Sequence, residues 1–298
     1  GRIKKVPRHN NNQFRGQILS ALKHNKDGSF ATQDERKRIL LNVSKDLVKC
    51  GFGRVTQKNY GGRHAKALAK YWQDQGIAIA TVKNRISHMR WLAEKFGKPE
   101  AIPKDNTTLD IGQRTYSDNT KNLAKELEVD KMEKLSERQV LCLKLQRSFG
   151  LRREESLKFK PNQADKGNKI ELQASWCKGG RAREIPVRTQ EQRELLEQCK
   201  KIAGIGSMIE KGKTYIQARN LLDKTCQRSG IYHNHGYRHA YAQERYKEIT
   251  GLNCPKAGGK ISTELTEEEK QKDFDARMTV SNELGHGRED ITVNYLGR

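Results

Sequence analysis

A break in the helical pattern divides this chain of 298 residues into two parts. From Gln13 to about Phe96, apolar residues recur three and four positions apart, which predicts amphipathic helices. The segment Gly97–Pro103 interrupts that period, and the residues that follow, up to Asp118, are polar. Such a stretch is typical of a linker. We therefore expect three regions: a basic arm over residues 1–12, a helical domain over 13–104 and a second domain over 105–298.

The helical domain is predicted to be a bundle of about four helices. The capping signature Thr32-x-x-Glu35 predicts the start of one helix. A third helix is expected over 63–75 and a fourth from near Thr81. The fourth helix has one face for burial, and its other face carries three cations: Lys83, Arg85 and Arg90.

The second domain is predicted to combine helices with a small antiparallel sheet. Residues 169–174 alternate with period two, and a Lys-Gly-Gly-Arg turn separates them from residues 183–187. Capping signatures at Ser136 and Thr266 predict two helix starts. Further helices are expected over 119–131, 190–203, 212–229, 236–250 and 291–296. The expected fold class is mainly α with a small antiparallel β-sheet, an α+β domain.

The charge of the chain favours a polyanionic partner. Lys and Arg number 59 against 36 acidic residues, which gives a net charge of +23, and only 34% of residues are hydrophobic. Because lysine and arginine bind phosphates with release of counterions, double-stranded DNA is the expected partner. The excess of charge is densest in the helical domain, which is typical of a DNA-binding surface.

Other function classes find little support in the sequence. No apolar run approaches the roughly 20 residues of a transmembrane helix, and no signal-peptide pattern is present. The six cysteines are scattered without a Cys-x-x-Cys pair, which argues against a zinc ribbon or a disulfide framework and indicates a reducing cytoplasm. The chain begins without Met, so we expect a trimmed form of a longer protein.

Phosphodiester cleavage without a metal ion needs a protein nucleophile, cations and an acid for the leaving oxygen. The acidic residues do not have the pattern of a two-metal site, and the Walker pattern is absent. We therefore expect no metal and no other cofactor. Four segments of the second domain contain the required groups: Gly150-Leu-Arg152-Arg-Glu-Glu155, Cys177-Lys178-Gly-Gly-Arg, His235-Gly-Tyr-Arg238-His239, and Leu284-Gly-His286 followed by Tyr295.

In this order the segments resemble the tyrosine recombinases, also named the phage integrase family. That family shows Arg, Lys, His-x-x-Arg, His or Trp, and Tyr, and every position is matched here. The nine-residue step from His286 to Tyr295 is also similar. The resemblance is detailed over 105–298 and only general over the helical domain, where the Thr81–Asn84 helix start resembles one common in the family.

The resemblance implies a role for each matched residue. Arg152 and Arg238 would clamp the scissile phosphate, because a guanidinium matches two phosphate oxygens. Tyr295 would attack the phosphorus and form a 3′-phosphotyrosyl bond. His235 would accept a proton near neutral pH, and Lys178 would be the acid for the 5′ oxygen. His286 would donate a hydrogen bond to the phosphate or position Tyr295. Glu155 would support the site through His235 or a clamp arginine.

Some assignments leave alternatives open. Arg181 or Arg183 could replace Lys178 as the neighbour of the phosphate, and His233 or His239 competes with His235. His239 is expected to pack or to bind backbone phosphate. The basic face of the fourth helix is either solvated or in contact with DNA, and we expect DNA contacts from Lys83, Arg85, Arg90, Arg181, Arg183 and His239. The long segment between Arg238 and His286, with its Leu252–Thr266 loop, has no assigned role.

The resemblance implies a two-domain clamp around duplex DNA. The expected role is integration or excision of a mobile element, which the charge of +23 and the long inserts favour, and chromosome-dimer resolution stays open. The resemblance further implies dimers and tetramers on DNA, with accessory bending or directionality factors, in the cytoplasm at the nucleoid. Two alternatives remain at this point. A type IB topoisomerase often carries Lys where His235 stands, and a non-catalytic DNA-binding factor should have lost Arg152, Arg238 or Tyr295.

Overall fold

The computed structural model describes residues 11–113 and 118–298. The chain separates into two compact units, with the boundary between Thr115 and Tyr116. Each unit has its own hydrophobic core. The expected arm over 1–12 lies almost wholly outside the described residues. Asn11, however, belongs to the first unit, since its side chain is buried and donates hydrogen bonds to the carbonyls of Ser44 and Phe52.

The first unit is a four-helix bundle, as its apolar period predicts. Its helices are α1 (Asn12–His24), α2 (Phe30–Lys49), α3 (Gly62–Asp74) and α4 (Ile79–Lys95). Aromatic residues, among them Phe14, Tyr60 and Trp72, pack with aliphatic side chains at its centre. The longest of these helices, α2, has 20 residues. In the described part of the chain no helix is both long and apolar enough to cross a membrane.

The start of α2 differs from the predicted capping box. Ser29, not Thr32, caps the helix, and its hydroxyl accepts a hydrogen bond from the backbone N–H of Thr32. Both residue types are good caps, so the sequence alone did not distinguish them. The Glu35 carboxylate does not cap the helix but accepts a hydrogen bond from Asn84 of α4.

The segment expected as a linker belongs largely to the first unit. Ile102, Leu109 and Ile111 are buried in its core. Arg90 of α4 fixes this segment, because its guanidinium donates to the carbonyl of Pro103 at 2.8 Å and to the side chain of Asn106 at 3.0 Å. The boundary between the units therefore lies further along the chain than the expected 104–105.

The second unit combines helices with one two-stranded antiparallel sheet, as predicted. Strand β1 (Lys169–Leu172) pairs with β2 (Arg183–Pro186), with Ile170 opposite Ile185. Ser136 and Thr266 cap helices through capping boxes as expected. The helices are α5 (Glu137–Phe149), α6 (Arg153–Lys158), α7 (Pro161–Ala164), α8 (Gln190–Ala203), α9 (Tyr215–Arg228), α10 (Gly236–Thr250), α11 (Glu267–Glu283) and α12 (Val293–Leu296).

The prediction of a helix over 119–131 is wrong. The segment has no α-helix, and only its last residues, Val129–Lys131, form a 3-10 turn. The backbone N–H of Lys125 instead donates to the carbonyl of Gly236, and its ammonium donates to the carbonyl of Tyr232. These contacts with the start of α10 hold the segment in an irregular path, so tertiary contacts override helix propensity here.

Candidate active site

A glycine at the end of α5 turns the chain toward the site. Gly150 follows the buried Phe149 with φ of 61°, in the left-handed region. A Cβ at this position would lie 2.6 Å from Tyr241 Cδ1 and 2.9 Å from Leu284 Cδ2. Only glycine therefore fits both the conformation and the space. The turn places Arg152 as the first residue before α6.

Arg152 is held by a carboxylate three residues later. Its guanidinium donates to Glu155 Oε1 at 2.8 Å, and its backbone N–H donates to Glu155 Oε2 at 2.6 Å. The Arg152 side chain remains 21% exposed, whereas Glu155 is fully buried. Of the two partners expected for Glu155, His235 and a clamp arginine, the structure places it on Arg152, whose clamp role stays a prediction.

The same carboxylate binds Arg183 of β2. Arg183 donates to both Glu155 oxygens, at 2.9 and 2.8 Å, and its Nε donates to the carbonyl of Glu283 at 2.7 Å. Burial raises the pKa of Glu155, but the hydrogen bonds and charge of Arg183, with the charges of Arg238 and Arg152, outweigh burial and lower that pKa to about 2. Glu155 is therefore a carboxylate throughout the neutral range.

This placement corrects the expected DNA contact of Arg183. The residue is buried, and its guanidinium is engaged by protein groups. The alternation of the strand contained the signal, because Arg183 shares a face with Ile185 and the exposed Glu184 lies between them. The prediction that Arg183 contacts DNA is therefore wrong, and the residue instead holds Glu155 and the end of α11 in place.

Arg238 lies at the centre of the site, in the first turn of α10. It is 1% exposed. Its guanidinium donates to the carbonyls of Gly150 and Leu284, to Tyr295 Oη at 3.2 Å and to His286 Nε2 at 3.3 Å. Burial lowers its pKa to about 10, so it remains charged at neutral pH. The four contacts use four of its five N–H groups, and the fifth, on Nη1, has no partner among the described residues.

Tyr295 and His286 meet beside Arg238. Tyr295 is buried on α12, and its hydroxyl lies 3.1 Å from His286 Nε2. Burial, together with the charges of Arg238, Arg152 and Arg183, lowers the pKa of His286 to about 4. His286 is therefore neutral at neutral pH and can accept a hydrogen bond from the tyrosine.

Two further histidines lie near the Tyr295 ring without a hydrogen bond to its hydroxyl. The ring of His239 is 4.7 Å from that of Tyr295 and the ring of His235 is 6.1 Å away, between centroids. His239 is buried and packs against the tyrosine, which was one of its two expected roles. Desolvation, with the charges of Arg238 and Arg152, lowers the pKa of His235.

A cavity of about 680 Å³ opens beside this cluster. Arg152, Glu155, Lys178 and His235 lie in its wall, together with Tyr232. Lys178 is exposed in the turn between β1 and β2. The wall of the cavity thus contains three of the predicted catalytic residues: Arg152, Lys178 and His235. Among the described residues, no group of three or more His, Cys, Asp or Glu side chains is arranged to hold a metal ion.

The remaining predicted DNA contacts lie in two places. Arg181 is exposed on the β1–β2 turn and donates to the carbonyl of His286 at 2.7 Å. On α4 of the first unit, Lys83 and Arg85 are half-buried, and the Arg85 guanidinium lies 4.9 Å from the centre of the Trp72 ring. Arg90 of the same helix is engaged by the segment that follows it, as described above.

Solved structures with a similar fold include DNA complexes of three proteins. A lambda integrase dimer bound to a COC′ core site has a TM-score of 0.61 at 13% identity, over 96% of both chains. The Tn1549 transposon integrase in complex with circular intermediate DNA has a TM-score of 0.55 at 12% identity, over 95% of both chains. The XerH site-specific recombinase bound to palindromic difH substrate has a TM-score of 0.57 at 16% identity, over 94% of this chain and 80% of its own.

The family models that match the sequence, together with the fold that it shares with these proteins, define the class of the protein, which is a tyrosine recombinase. Two family models match the sequence: the phage integrase N-terminal domain over residues 15–102, and the integrase over residues 114–244. The two matches cover most of the chain, which belongs to the phage integrase family. No curated protein sequence gives a significant match.

Proposed function

We propose that this chain is a site-specific DNA recombinase that integrates or excises a mobile element, with Tyr295 as the nucleophile. The observation that carries the proposal is the position of the Tyr295 hydroxyl, which lies 3.2 Å from Arg238 Nε and 3.1 Å from His286 Nε2. The histidine nitrogen can take the phenol proton as the oxygen attacks, and the guanidinium holds that oxygen in place through a hydrogen bond.

In the proposed cleavage step, the Tyr295 oxygen bonds to the scissile phosphorus as the bond from phosphorus to the 5′ oxygen breaks. The phenol proton passes to His286 Nε2, the histidine nitrogen in contact with it. Arg238, through its remaining Nη1 hydrogen, and Arg152, from the cavity wall, stabilise the charge on the phosphate oxygens. His235 contributes a further hydrogen bond from the same wall.

Lys178 supplies the proton that the departing 5′ oxygen needs, because it lies in the wall of the cavity that also holds Arg152. The product is a 3′-phosphotyrosyl bond and a free 5′-hydroxyl. Attack by a 5′-hydroxyl from a second DNA end reverses the step and restores the tyrosine. The phosphodiester bond energy is retained throughout, so strand exchange needs no ATP.

The charge of the chain and its structural relatives support DNA as the substrate. A net charge of +23 is in keeping with many phosphate contacts. The similar structures include a lambda integrase dimer on a core site and a lambda integrase tetramer on a Holliday junction. We propose that two or four copies of this chain likewise close as clamps around DNA, in the reducing cytoplasm at the nucleoid, with accessory factors that bend DNA or set direction.

Covalent capture tests the proposal. The protein is incubated with fragments of the genome that encodes it, denatured in SDS, and the DNA that remains attached is sequenced from its cut ends. We expect attachment at 3′ phosphates of a few related, partly palindromic sites. Tyr295→Phe should bind the same DNA without attachment, because it lacks only the nucleophilic oxygen.

Tyr232→Phe is the matched control. Tyr232 lies in the wall of the same cavity but is 52% exposed, and its hydroxyl donates only to the carbonyl of Gln227. It should form as much adduct as the unchanged protein, also in EDTA. Adduct formation by Tyr295→Phe would overturn the assignment of the nucleophile. A requirement for a divalent ion would overturn the chemistry, and adducts scattered without preference would favour a DNA-relaxing enzyme.

A further inference from the structure

The helix that carries Tyr295 is too short to satisfy its own backbone. Helix α12 has four residues, and one hydrogen bond, from Gly297 N–H to the carbonyl of Val293, closes it. The carbonyls at the end of any helix lack partners within that helix. Tyr295, Leu296 and Gly297 are buried, so their backbone groups need partners from elsewhere in the protein, whereas Asn294 and Arg298 on either side of them are exposed.

Side chains from four separate parts of the second unit satisfy this backbone. Lys256 donates to the carbonyl of Asn294 at 2.8 Å, and Gln243 of α10 donates to the carbonyl of Tyr295 at 3.0 Å. Arg277 of α11 donates to the carbonyl of Gly297 at 2.8 Å. Asn119 pairs with the backbone of Arg298, donating to its carbonyl at 2.6 Å and accepting from its N–H at 3.1 Å. We name these four residues, Asn119, Gln243, Lys256 and Arg277, the tyrosine cage.

Arg277 has the most contacts of the four. It is 2% exposed, and besides the carbonyl of Gly297 it contacts the Thr292 hydroxyl at 3.4 Å. Asp273 accepts from its Nε at 2.8 Å, and a Glu289 oxygen lies 3.8 Å away. The guanidinium therefore touches the segment 289–297 both before and after Tyr295. A buried charge is costly unless it is paired, and Asp273 supplies the opposite charge for Arg277.

The cage also gives a role to the Leu252–Thr266 loop. Pro255 and Lys256 pack against the end of α12, where a Cβ added at Gly297 would lie 3.1 Å from atoms of both. The same Cβ would lie 2.4 Å from the side chain of Asn119. The backbone of the tyrosine segment is thus fitted closely between the loop and the segment that precedes α5.

We propose that Arg277, with the rest of the tyrosine cage, is a positioning residue that holds Tyr295 in the active site of its own chain before DNA binds. This inference rests on the proposed function, because it concerns the nucleophile of that reaction. Arg277 lies on the backbone side of α12 and Arg238 on the hydroxyl side. Loss of Arg277 should therefore free the segment and displace the hydroxyl. A displacement of about 1 Å can slow an enzymatic step about 100-fold.

Single-turnover kinetics test the consequence for the reaction. Arg277→Met keeps much of the side-chain volume without the donors, and Arg277→Lys restores one charge and one donor. At saturating DNA we expect adduct formation to slow about 100-fold in Arg277→Met, with partial recovery in Arg277→Lys and an unchanged Kd for DNA. Arg193→Met is the control, since Arg193 is an ion-paired arginine whose contacts are with Asp165, Gly167 and Glu197 rather than α12.

Hydrogen exchange without DNA tests the cage itself, independently of activity. The amides of residues 293–298 should exchange slowly in the unchanged protein, and Arg277→Met should speed their exchange without affecting residues 169–186. Fast exchange in the unchanged protein would overturn the cage. A rate loss no larger than that of Arg193→Met, or one that appears only as weaker DNA binding, would overturn the positioning role. Absence of any adduct from the unchanged protein would instead contradict the proposed function, and exchange alone would then decide on the cage.

Discussion

The charge state of His286 sets the direction of the hydrogen bonds around Tyr295. A guanidinium only donates, so the His286 Nε2 that lies 3.3 Å from Arg238 Nη2 must accept. That nitrogen therefore carries no proton, and the Tyr295 hydroxyl, 3.1 Å away, donates to it. Because burial and nearby arginines lower the pKa of His286 to about 4, this arrangement holds across the neutral range.

The pH dependence of cleavage should follow from this lowered pKa. The neutral form of His286 is the proton acceptor, so activity is lost only when the pH falls through its pKa. We expect the rate of adduct formation to stay level as the pH falls past about 6.5, the usual histidine value, and to decline near about 4. Quenched single-turnover reactions at constant ionic strength measure this. A decline centred on the ordinary value, or one that disappears in His235→Asn, would assign the proton to another group.

Glu155 should contribute strongly to stability because it balances two arginines in the protein interior. Glu155→Gln leaves Arg183 buried without its anion, which costs about 3 to 5 kcal/mol in the free energy of unfolding. The lowered pKa means that the carboxylate stabilises the fold above its unfolded value of about 4.3 and loses this effect as the pH falls toward about 2. Urea unfolding at several pH values should therefore show a difference between the two proteins that shrinks in acid.

Glu184→Gln on the same strand is the control for that measurement. Its ion pair with Lys169 is exposed, so its removal should cost less than about 1 kcal/mol. Equal losses from the two substitutions, or a Glu155 effect that grows in acid, would show that the buried pair does not carry the stability assigned to it.

At the scale of elements, the turn between α5 and α6 links stability to the site. Gly150→Ala introduces a Cβ within 3.0 Å of Tyr241 and Leu284 at a positive φ, which should cost about 1 to 3 kcal/mol. The Gly150 carbonyl accepts from Arg238, so adduct formation should slow as well. Gly167→Ala has a φ of 84° and no atom within 4 Å of the added Cβ. This control should cost only the backbone strain and leave the rate unchanged, and a similar rate loss in both proteins would contradict the argument.

The elements that the sequence predicted well are those with strong local signals. The capping boxes at Ser136 and Thr266 and the strand alternation around Ile170 and Ile185 all appear in the structure. The helix expected over 119–131 failed because its path depends on contacts with residues more than 100 positions away, such as that between Lys125 and Gly236. No local pattern reports a contact of that kind.

The same difference between local sequence signals and long-range contacts holds for the site. The order of the motifs predicted which residues to examine, and the structure brings Arg238, His286 and Tyr295 into contact while Arg152, Lys178 and His235 line the cavity. The sequence left open whether His286 binds phosphate or positions Tyr295, and it gave the role of proton acceptor to His235, which makes no hydrogen bond to the Tyr295 hydroxyl among the described residues. It also did not predict the cage, because its donors come from four distant segments and their partners are backbone carbonyls, which have no sequence signature.

At the scale of the whole molecule, the charge of +23 should make DNA binding strongly dependent on salt. A protein with about six to ten phosphate contacts loses about 10³- to 10⁵-fold in affinity between about 50 and 200 mM salt, and we expect a loss of this size. Tyr295→Phe should keep the slope of log affinity against log salt concentration. Lys83→Gln and Arg85→Gln should each reduce the steepness of that slope by about one. Lys270→Gln is the control, because Lys270 is paired with Glu267 at the acidic start of α11. Fluorescence anisotropy over a salt series measures the slope. A flat response, or equal slopes in the α4 variants and the unchanged protein, would remove α4 from the DNA-binding surface.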